Sequence, residues 1–414
     1  MRVVASRIPS PGCGPPYLFL MNRATMKVCF LYNHDAGHQV AHSIGIATAL
    51  AQQHPEIRTV IAYGSPEIRA EIVKHLTPGQ IASLEWLDLS LPRWANTVLH
   101  PINRLLPARR LLRLYAGSRV LRQFDMIVST ERTCLSLKRR WRNHGPVFVF
   151  VPHGAGDRNV SYHPTMRDFD LMLLSGQKVV DQMVAHGIAP ASRCRIIGYP
   201  KFDILKGRKP QRFFDNDRPV FLYNPHFDPV LSSWYDHGPA ILDWFAAHPE
   251  YNLIFAPHVM LFFKSLHISP EYKQGRRRPD LKPEWKDCAN IIIDVDSERL
   301  FDMSYTLAAD AYIGDVSSQV YEFMYRPRAA FFIDVHTGRH PGSEEPAYEM
   351  WLIGPVVTSA QGLFDLVPQW ETFAARYREE QQRLLAYTAD TTDPRPASHR
   401  GAEAIADYLA ARSD

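Results

Sequence analysis

The sequence predicts an α/β protein built from two parallel-sheet domains that face each other across a cleft. Three observations carry that expectation. Short apolar runs recur along the chain and stop at Gly, Pro, His or Ser: 147–151 before Pro152-His153-Gly154, 195–197 before Gly198-Tyr199-Pro200, 220–223 before Asn224-Pro225-His226, and 253–255 before Ala256-Pro257-His258. Stretches of helical periodicity separate these runs, and strands alternating with helices form parallel sheets whose ligands gather at the carboxyl ends of the strands. At 414 residues and 46% hydrophobic, the chain is long enough to bury two ordinary cores.

Residues 1–25 differ from the rest. Arg2 and Arg7 could open a leader, but Pro9, Pro11, Pro15 and Pro16 interrupt any apolar core, so the stretch reads as disordered or as a start upstream of the natural one. The first strand is expected at 27–32. It leads into Asn33-His34-Asp35-Ala36-Gly37-His38 and a helix to about Gln53; two histidines in such a polar turn fit a solvated loop or a minor ligand contact. Strands at 59–63, 126–130, 147–151, 171–174 and 195–197 complete an amino-terminal domain over 26–210. The charged stretch 206–218, with Pro210, reads as a linker. A second domain over 218–370 repeats the pattern through 220–223, 253–255, 291–294, 309–314 and 329–333, and carboxyl-terminal helices follow over 371–414.

Composition narrows the partners. The formal net charge is +4, too slight to imply nucleic acid. Cys13, Cys29, Cys134, Cys194 and Cys288 are scattered without paired spacing, so neither a disulfide framework nor a zinc site is indicated. No apolar run reaches the ~18–20 residues of a membrane span, and the expected location is the cytoplasm.

One segment stands out chemically. Ala309-Asp310-Ala311-Tyr312-Ile313-Gly314-Asp315 is a small-residue strand that runs into Val316-Ser317-Ser318 where a helix should begin. Free N–H groups and the positive end of the dipole at a helix start favour an anion, and two hydroxyls add donors. Val320, Phe323 and Met324 make an apolar stripe, with Ser318 and Glu322 one turn apart on another face. The same residues also fit a plain serine N-cap with Glu322 paired to Arg326, and taken alone the segment favours that reading.

Taken in order, His153-Gly154, Gly198-Tyr199-Pro200-Lys201-Phe202-Asp203, Leu222-Tyr223-Asn224-Pro225, Pro257-His258, Asp315-Val316-Ser317-Ser318 and Gly354-Pro355-Val356-Val357 resemble the CDP-glycerol glycerophosphotransferase family. The resemblance spans roughly 147–365 and rests on motif order, because each motif is short. Lys201 stands where the family has Arg, Ala256 where a basic residue precedes Pro-His, and Asn224-Pro225-His226 where Ala-Pro-Thr is common. The resemblance implies a GT-B-like fold of two Rossmann-like domains facing a central cleft, with terminal helices packing back across the domain boundary. It also implies a transferase that moves a glycerol-phosphate or sugar group from a nucleotide-activated donor, such as CDP-glycerol, to a cell-surface polymer or lipid-linked acceptor.

Roles follow from placing these motifs across one cleft. His153 ends a strand beside Gly154, which would let a substrate approach the backbone, and an imidazole can remove a proton near neutral pH. His153 is the expected general base, although a phosphate-contacting or structural histidine fits the same position. His258 and Ser317-Ser318 would hold the donor pyrophosphate and stabilise charge on the leaving nucleotide. Asn224 and Asp315 join the expected donor side, and GT-B analogy puts Glu322 at the ribose. The scheme calls for no metal and no cofactor; Asp294-Val295-Asp296 reads as a capping turn before Ser297.

Two basic segments remain. In 103–122, Arg104, Arg109, Arg110 and Arg113 alternate with Leu105, Leu106, Leu111, Leu112 and Leu114, and Lys138-Arg139-Arg140-Trp141-Arg142 follows on a later helix. The alternation suits an interfacial helix on an anionic membrane surface, hence peripheral attachment to the inner face of the cell membrane, and equally an ordinary surface helix. Gly275-Arg276-Arg277-Arg278-Pro279 reads as a solvated loop. Three function classes compete: the transferase, a nucleotide-sugar 2-epimerase on the same scaffold, and a nucleotide-binding relative without turnover.

Overall fold

The structure is a computed structural model that describes residues 25–34, 37–92, 107–154, 162–205, 207–269, 271–336 and 348–413. Residues 1–24 of the stretch read as disordered or as an upstream start, Arg104 with Leu105 and Leu106, and Asp35-Ala36 lie outside the described residues. In chain order the strands are β1 Lys27–Tyr32, β2 Arg58–Tyr63, β3 Glu85–Asp88, β4 Met126–Ser129, β5 Val147–Phe150, β6 Leu171–Leu174, β7 Cys194–Ile196, β8 Val220–Asn224, β9 Asn252–Phe255, β10 Leu266–Ile268, β11 Gly275–Arg277, β12 Ile291–Ile293, β13 Ala311–Gly314, β14 Ala329–Ile333 and β15 Val356–Val357.

Two of the sheets are parallel throughout. One has the order β3-β2-β1-β4-β5-β6-β7 and the other β12-β9-β8-β13-β14-β15. Their central strands are near-continuous apolar runs, as sheets covered on both faces require: Val28 to Tyr32 and Ala329 to Ile333 are all buried. The two additional edge strands, β3 and β15, escape sequence reading for different reasons. β3 is Glu-Trp-Leu-Asp with exposed acids at both ends, and β15 is two residues long.

The Trp370–Arg376 helix rests on the second sheet, where Phe373 joins its core, and the Arg378–Ala389 helix also meets the first domain, where Ser175 Oγ donates to the Thr388 carbonyl and the Tyr387 hydroxyl to Asp181, both at 2.7 Å. The last helix, Ala397–Ser413, crosses back to the first domain. Its Ala402, Ile405 and Leu409 pack with Ile44, Ile46, Ala47 and Leu50 of the Ile44–Gln53 helix.

The Gly198 motif explains how that crossing is held. Gly198 has φ +84, a left-handed conformation suited to glycine, which turns the chain after β7 into a 3-10 helix at Pro200–Leu205. Asp203 then accepts the backbone N–H groups of Ala397 and Ser398 at 3.0 and 2.7 Å. A carboxylate at those free donors caps the final helix from another part of the chain.

The structure places both basic segments and corrects the reading of the second. The Ala108–Leu121 helix turns Arg113 into the protein, where it packs on Gly64, and Arg110 pairs with Glu131 at 3.1 Å. Those two arginines therefore do not point to a bilayer. The stretch 275–279 is no loop at its start: Gly275–Arg277 is β11, antiparallel to β10 with Leu266 opposite Arg277.

Candidate active site in the interdomain cleft

The first rim is built from the carboxyl ends of β1, β4 and β5. Thr130 and Glu131 follow β4, His153 and Gly154 follow β5, and His38 comes from the loop after β1. His153 Nδ1 lies 3.0 Å from the carbonyl oxygen of Thr130. A carbonyl only accepts, so Nδ1 carries the proton and Nε2 presents a lone pair. The ring is open to water yet ringed by protein. Its pKa is lowered, chiefly by that partial loss of solvent, with the Arg110 cation acting the same way; the Thr130 carbonyl and Glu131 oppose it.

His38 and His42 lie close by. Loss of solvent lowers His38 to about 4, with His153 and Lys201 adding to the shift. His42 is buried against the Tyr199 ring at 5.3 Å and falls well below the ordinary value for the same first reason, helped by Lys201. Both histidines are thus neutral near pH 7. The loop after β1, given a minor role from sequence, places His38 beside His153 because β1 and β5 end at the same edge of one sheet.

The second rim comes from β8, β9 and β13. His258 follows β9, and its Nδ1 accepts the backbone N–H of Met260 at 3.2 Å. That bond leaves the neutral ring's proton on Nε2, the reverse of His153. His226 and Phe227 rings stand 5.3 and 4.8 Å away. Ala256, at the motif's usual basic position, is buried in the core, and its carbonyl accepts Asn224 Nδ2 at 2.6 Å.

Several predicted donor residues are bonded within the scaffold. Asn224 spends both ends of its amide internally, its Oδ1 accepting from the Tyr312 hydroxyl at 3.2 Å. Asp315 accepts backbone N–H groups of His226, Ser233 and Val316, plus the Ser233 hydroxyl, and so fixes the loop after β8. Burial raises its pKa to about 6 despite those bonds. Ser317 is buried against Tyr312, whereas Ser318 faces the cleft. The helix after them, Val320–Phe323, is a single turn, so the strong helix dipole anticipated there is absent. The turn at Asp294 is present: its carboxylate accepts Ser297 N–H at 3.0 Å and the Tyr305 hydroxyl at 2.8 Å.

The rims meet at Gly154 and Ser318. A β-carbon placed on Gly154 would lie 4.0 Å from Ser318 Oγ. Nearby, Lys201 Nζ reaches both oxygens of Glu322 at 2.6 and 2.8 Å, and Tyr199 Oη lies 3.2 Å from one of them. The pairing of Glu322 with Arg326 is therefore corrected: the partner is a lysine from the other domain. Lys178, also from the first domain, lies 2.5 Å from the Tyr321 hydroxyl and 4.3 Å above its ring. None of Lys178, Lys201 or Tyr199 was assigned a site role from sequence.

Two Rossmann-like sheets with a cleft between their carboxyl ends define the GT-B class of fold. Solved structures bear this out. The wall teichoic acid polymerase TagF superposes with a TM-score of 0.59 at 15% identity, covering 94% of this chain and 91% of that one. A UDP-N-acetylglucosamine 2-epimerase gives 0.61 at 11% identity, covering 94% and 98%, and the Neisseria meningitidis UDP-GlcNAc 2-epimerase bound to UDP-GlcNAc gives 0.53 at 14%, covering 93% and 99%. No family model matches the sequence, and no curated protein matches it.

Proposed function

We propose that the chain is a transferase that moves a glycerol-phosphate or sugar group from a nucleotide-activated donor of the CDP-glycerol kind to a polymer or lipid-linked acceptor. The observation that carries this reading is the opposed bonding of two cleft histidines: His153 Nδ1 faces the Thr130 carbonyl, which leaves Nε2 as an acceptor, and His258 Nδ1 accepts the Met260 N–H, which leaves Nε2 of the neutral ring as a donor. The acceptor hydroxyl gives its proton to His153 as its oxygen attacks the donor phosphorus, or the anomeric carbon of a sugar donor. The bond to the leaving nucleotide breaks in the same step, and the His258 N–H and Ser318 hydroxyl bond the charge that grows there. Gly154, without a side chain, lets the two rims close at Ser318 beside the substrate, and Glu322, Asn224, Asp315 and Ser317 shape the donor side.

Incubation with CDP-glycerol and an acceptor should release CMP, whereas a nucleotide-sugar donor would release its diphosphate. A thermal-shift panel of CDP-, UDP- and GDP-linked donors identifies the base, since a ligand at a hundred times its Kd stabilises the fold by roughly 2.7 kcal/mol. A 2-epimerase is the second reading, favoured by the solved neighbours of that activity. It would convert a nucleotide sugar with no acceptor present. Donor binding without either product would mark a non-catalytic relative.

A further inference from the structure

The two-stranded sheet of β10 and β11 stands apart from both main sheets and is built inside out. His267 is buried, its Nε2 2.9 Å from the Leu261 carbonyl, and Arg276, opposite it in register, turns to the same side and pairs with Asp236 at 2.6 Å. The period of two then sends Leu266 and Ile268 outward, at 57% and 66% exposure. Phe263, 78% exposed, and Met260, 46% exposed, add apolar surface along the segment that leads from His258 to β10. Exposed apolar patches of this kind mark contact surfaces.

Charge identifies the partner. Between His258 and Arg278 the sequence carries Lys264, Lys273, Arg276, Arg277 and Arg278 against one acid, Glu271. Arg276 and Arg278 pair with Asp236 and Asp280, whereas Lys264, Lys273 and Arg277 are exposed, with Arg277 directly opposite Leu266. Lysines amid an apolar patch suit a protein interface poorly, because its core is depleted in them, and four side chains fall short of the area a stable complex buries. A bilayer surface takes both: apolar groups enter the acyl boundary while basic heads stay among anionic headgroups.

We propose that the β10–β11 hairpin is the face through which this protein docks on an anionic lipid surface. Its base is tied to the cleft. Ser269 donates to Asp228 at 2.8 Å, and Asp228 lies in the loop after β8 that Asp315 holds. A docked hairpin would thus present the His258 side of the cleft to the membrane plane. The proposal deepens the lipid-linked-acceptor reading, but its test uses no donor or acceptor.

The measurement is co-sedimentation with vesicles of phosphatidylcholine alone or mixed with phosphatidylglycerol, at low and high salt. The unaltered protein should bind the anionic vesicles and release at high salt. Phe263→Ser with Ile268→Ser should weaken that binding roughly tenfold or more through lost apolar burial, and Lys264→Glu with Arg277→Glu should abolish it. These side chains are exposed, so unchanged melting temperatures verify folding. Leu112→Ser with Tyr115→Ser, on the Ala108–Leu121 helix, should leave binding intact. Vesicle binding that survives both hairpin variants, no binding by the unaltered protein, or a solution dimer lost in the apolar variant would each overturn the proposal. Absent transfer activity alongside hairpin-dependent vesicle binding would overturn the transferase reading alone.

Discussion

Lys201 and Glu322 form a buried ion pair across the domain boundary, with Lys201 Nζ 2.6 and 2.8 Å from the two carboxylate oxygens. One residue along, Lys178 grips Tyr321 in the same sense. Two lysines of the first domain thus hold consecutive residues of the second, at the turn whose exposed serine faces Gly154. The relative position of the rims depends on this clasp.

Removing one partner of the pair strands the other charge in a buried site. Lys201→Met should destabilise by about 3–5 kcal/mol, whereas Lys201→Met with Glu322→Leu should recover most of the loss. Thermal unfolding of both single variants and the double variant measures the coupling. A double variant as unstable as the sum of the singles would show that the two side chains act independently.

How much of this was legible beforehand divides along a physical line. Strand positions were readable because strands buried on both faces are uninterrupted apolar runs, as in 27–32 and 329–333. The short edge strands were not, and neither was the outward-facing hairpin, whose Leu266 and Ile268 mimic a core pattern. His153 could be singled out because it sits at a strand end. Lys201 could not be matched to Glu322, since 121 residues separate them and only the docking of two domains brings them together. The expected phosphate site at Ser317-Ser318 assumed a full helix, but the chain supplies one turn.

The two serines should now separate. Ser318→Ala, at the open side of the turn, should weaken nucleotide binding with little change in melting temperature. Ser317→Ala should do the opposite, costing about 1–3 kcal/mol for a buried hydrogen-bonding group lost beside Tyr312. Gly154→Leu should collide with Ser318 where the rims meet and so weaken donor binding, whereas Gly154→Ala, at 4.0 Å, should be tolerated. Calorimetric titration with a nucleotide donor reads all four variants; equal effects from both serines would overturn the division.

Stability should fall on acidification between about pH 6.5 and 4. His38 and His42 are held neutral in the folded protein, His38 down to about 4. In this window the unfolded chain therefore binds more protons, and acid favours unfolding. Asp315 acts with the opposite sign, because its folded pKa of about 6 exceeds the carboxylate value of 3.8, so its contribution fades as pH rises through 6. His38→Asn should flatten the acid limb of melting temperature against pH. Asp315→Asn should steepen that limb, because it removes the opposing contribution.

His153→Ala should lower turnover by about a hundredfold or more while donor affinity stays nearly constant, since its Nε2 lone pair acts on the acceptor and not on the nucleotide. The base must be neutral to work, and its pKa is depressed below the ordinary 6.5. The kcat/KM profile should therefore rise with pH along an acid limb centred below 6.5. Lys201 lies near the same histidines and lowers the pKa of His38 and His42. His153→Ala should remove the acid limb itself, leaving a low rate independent of pH in that range. A variant that retains the limb, or one that loses donor affinity at unchanged turnover, would place His153 on the phosphate instead of on the attacking hydroxyl.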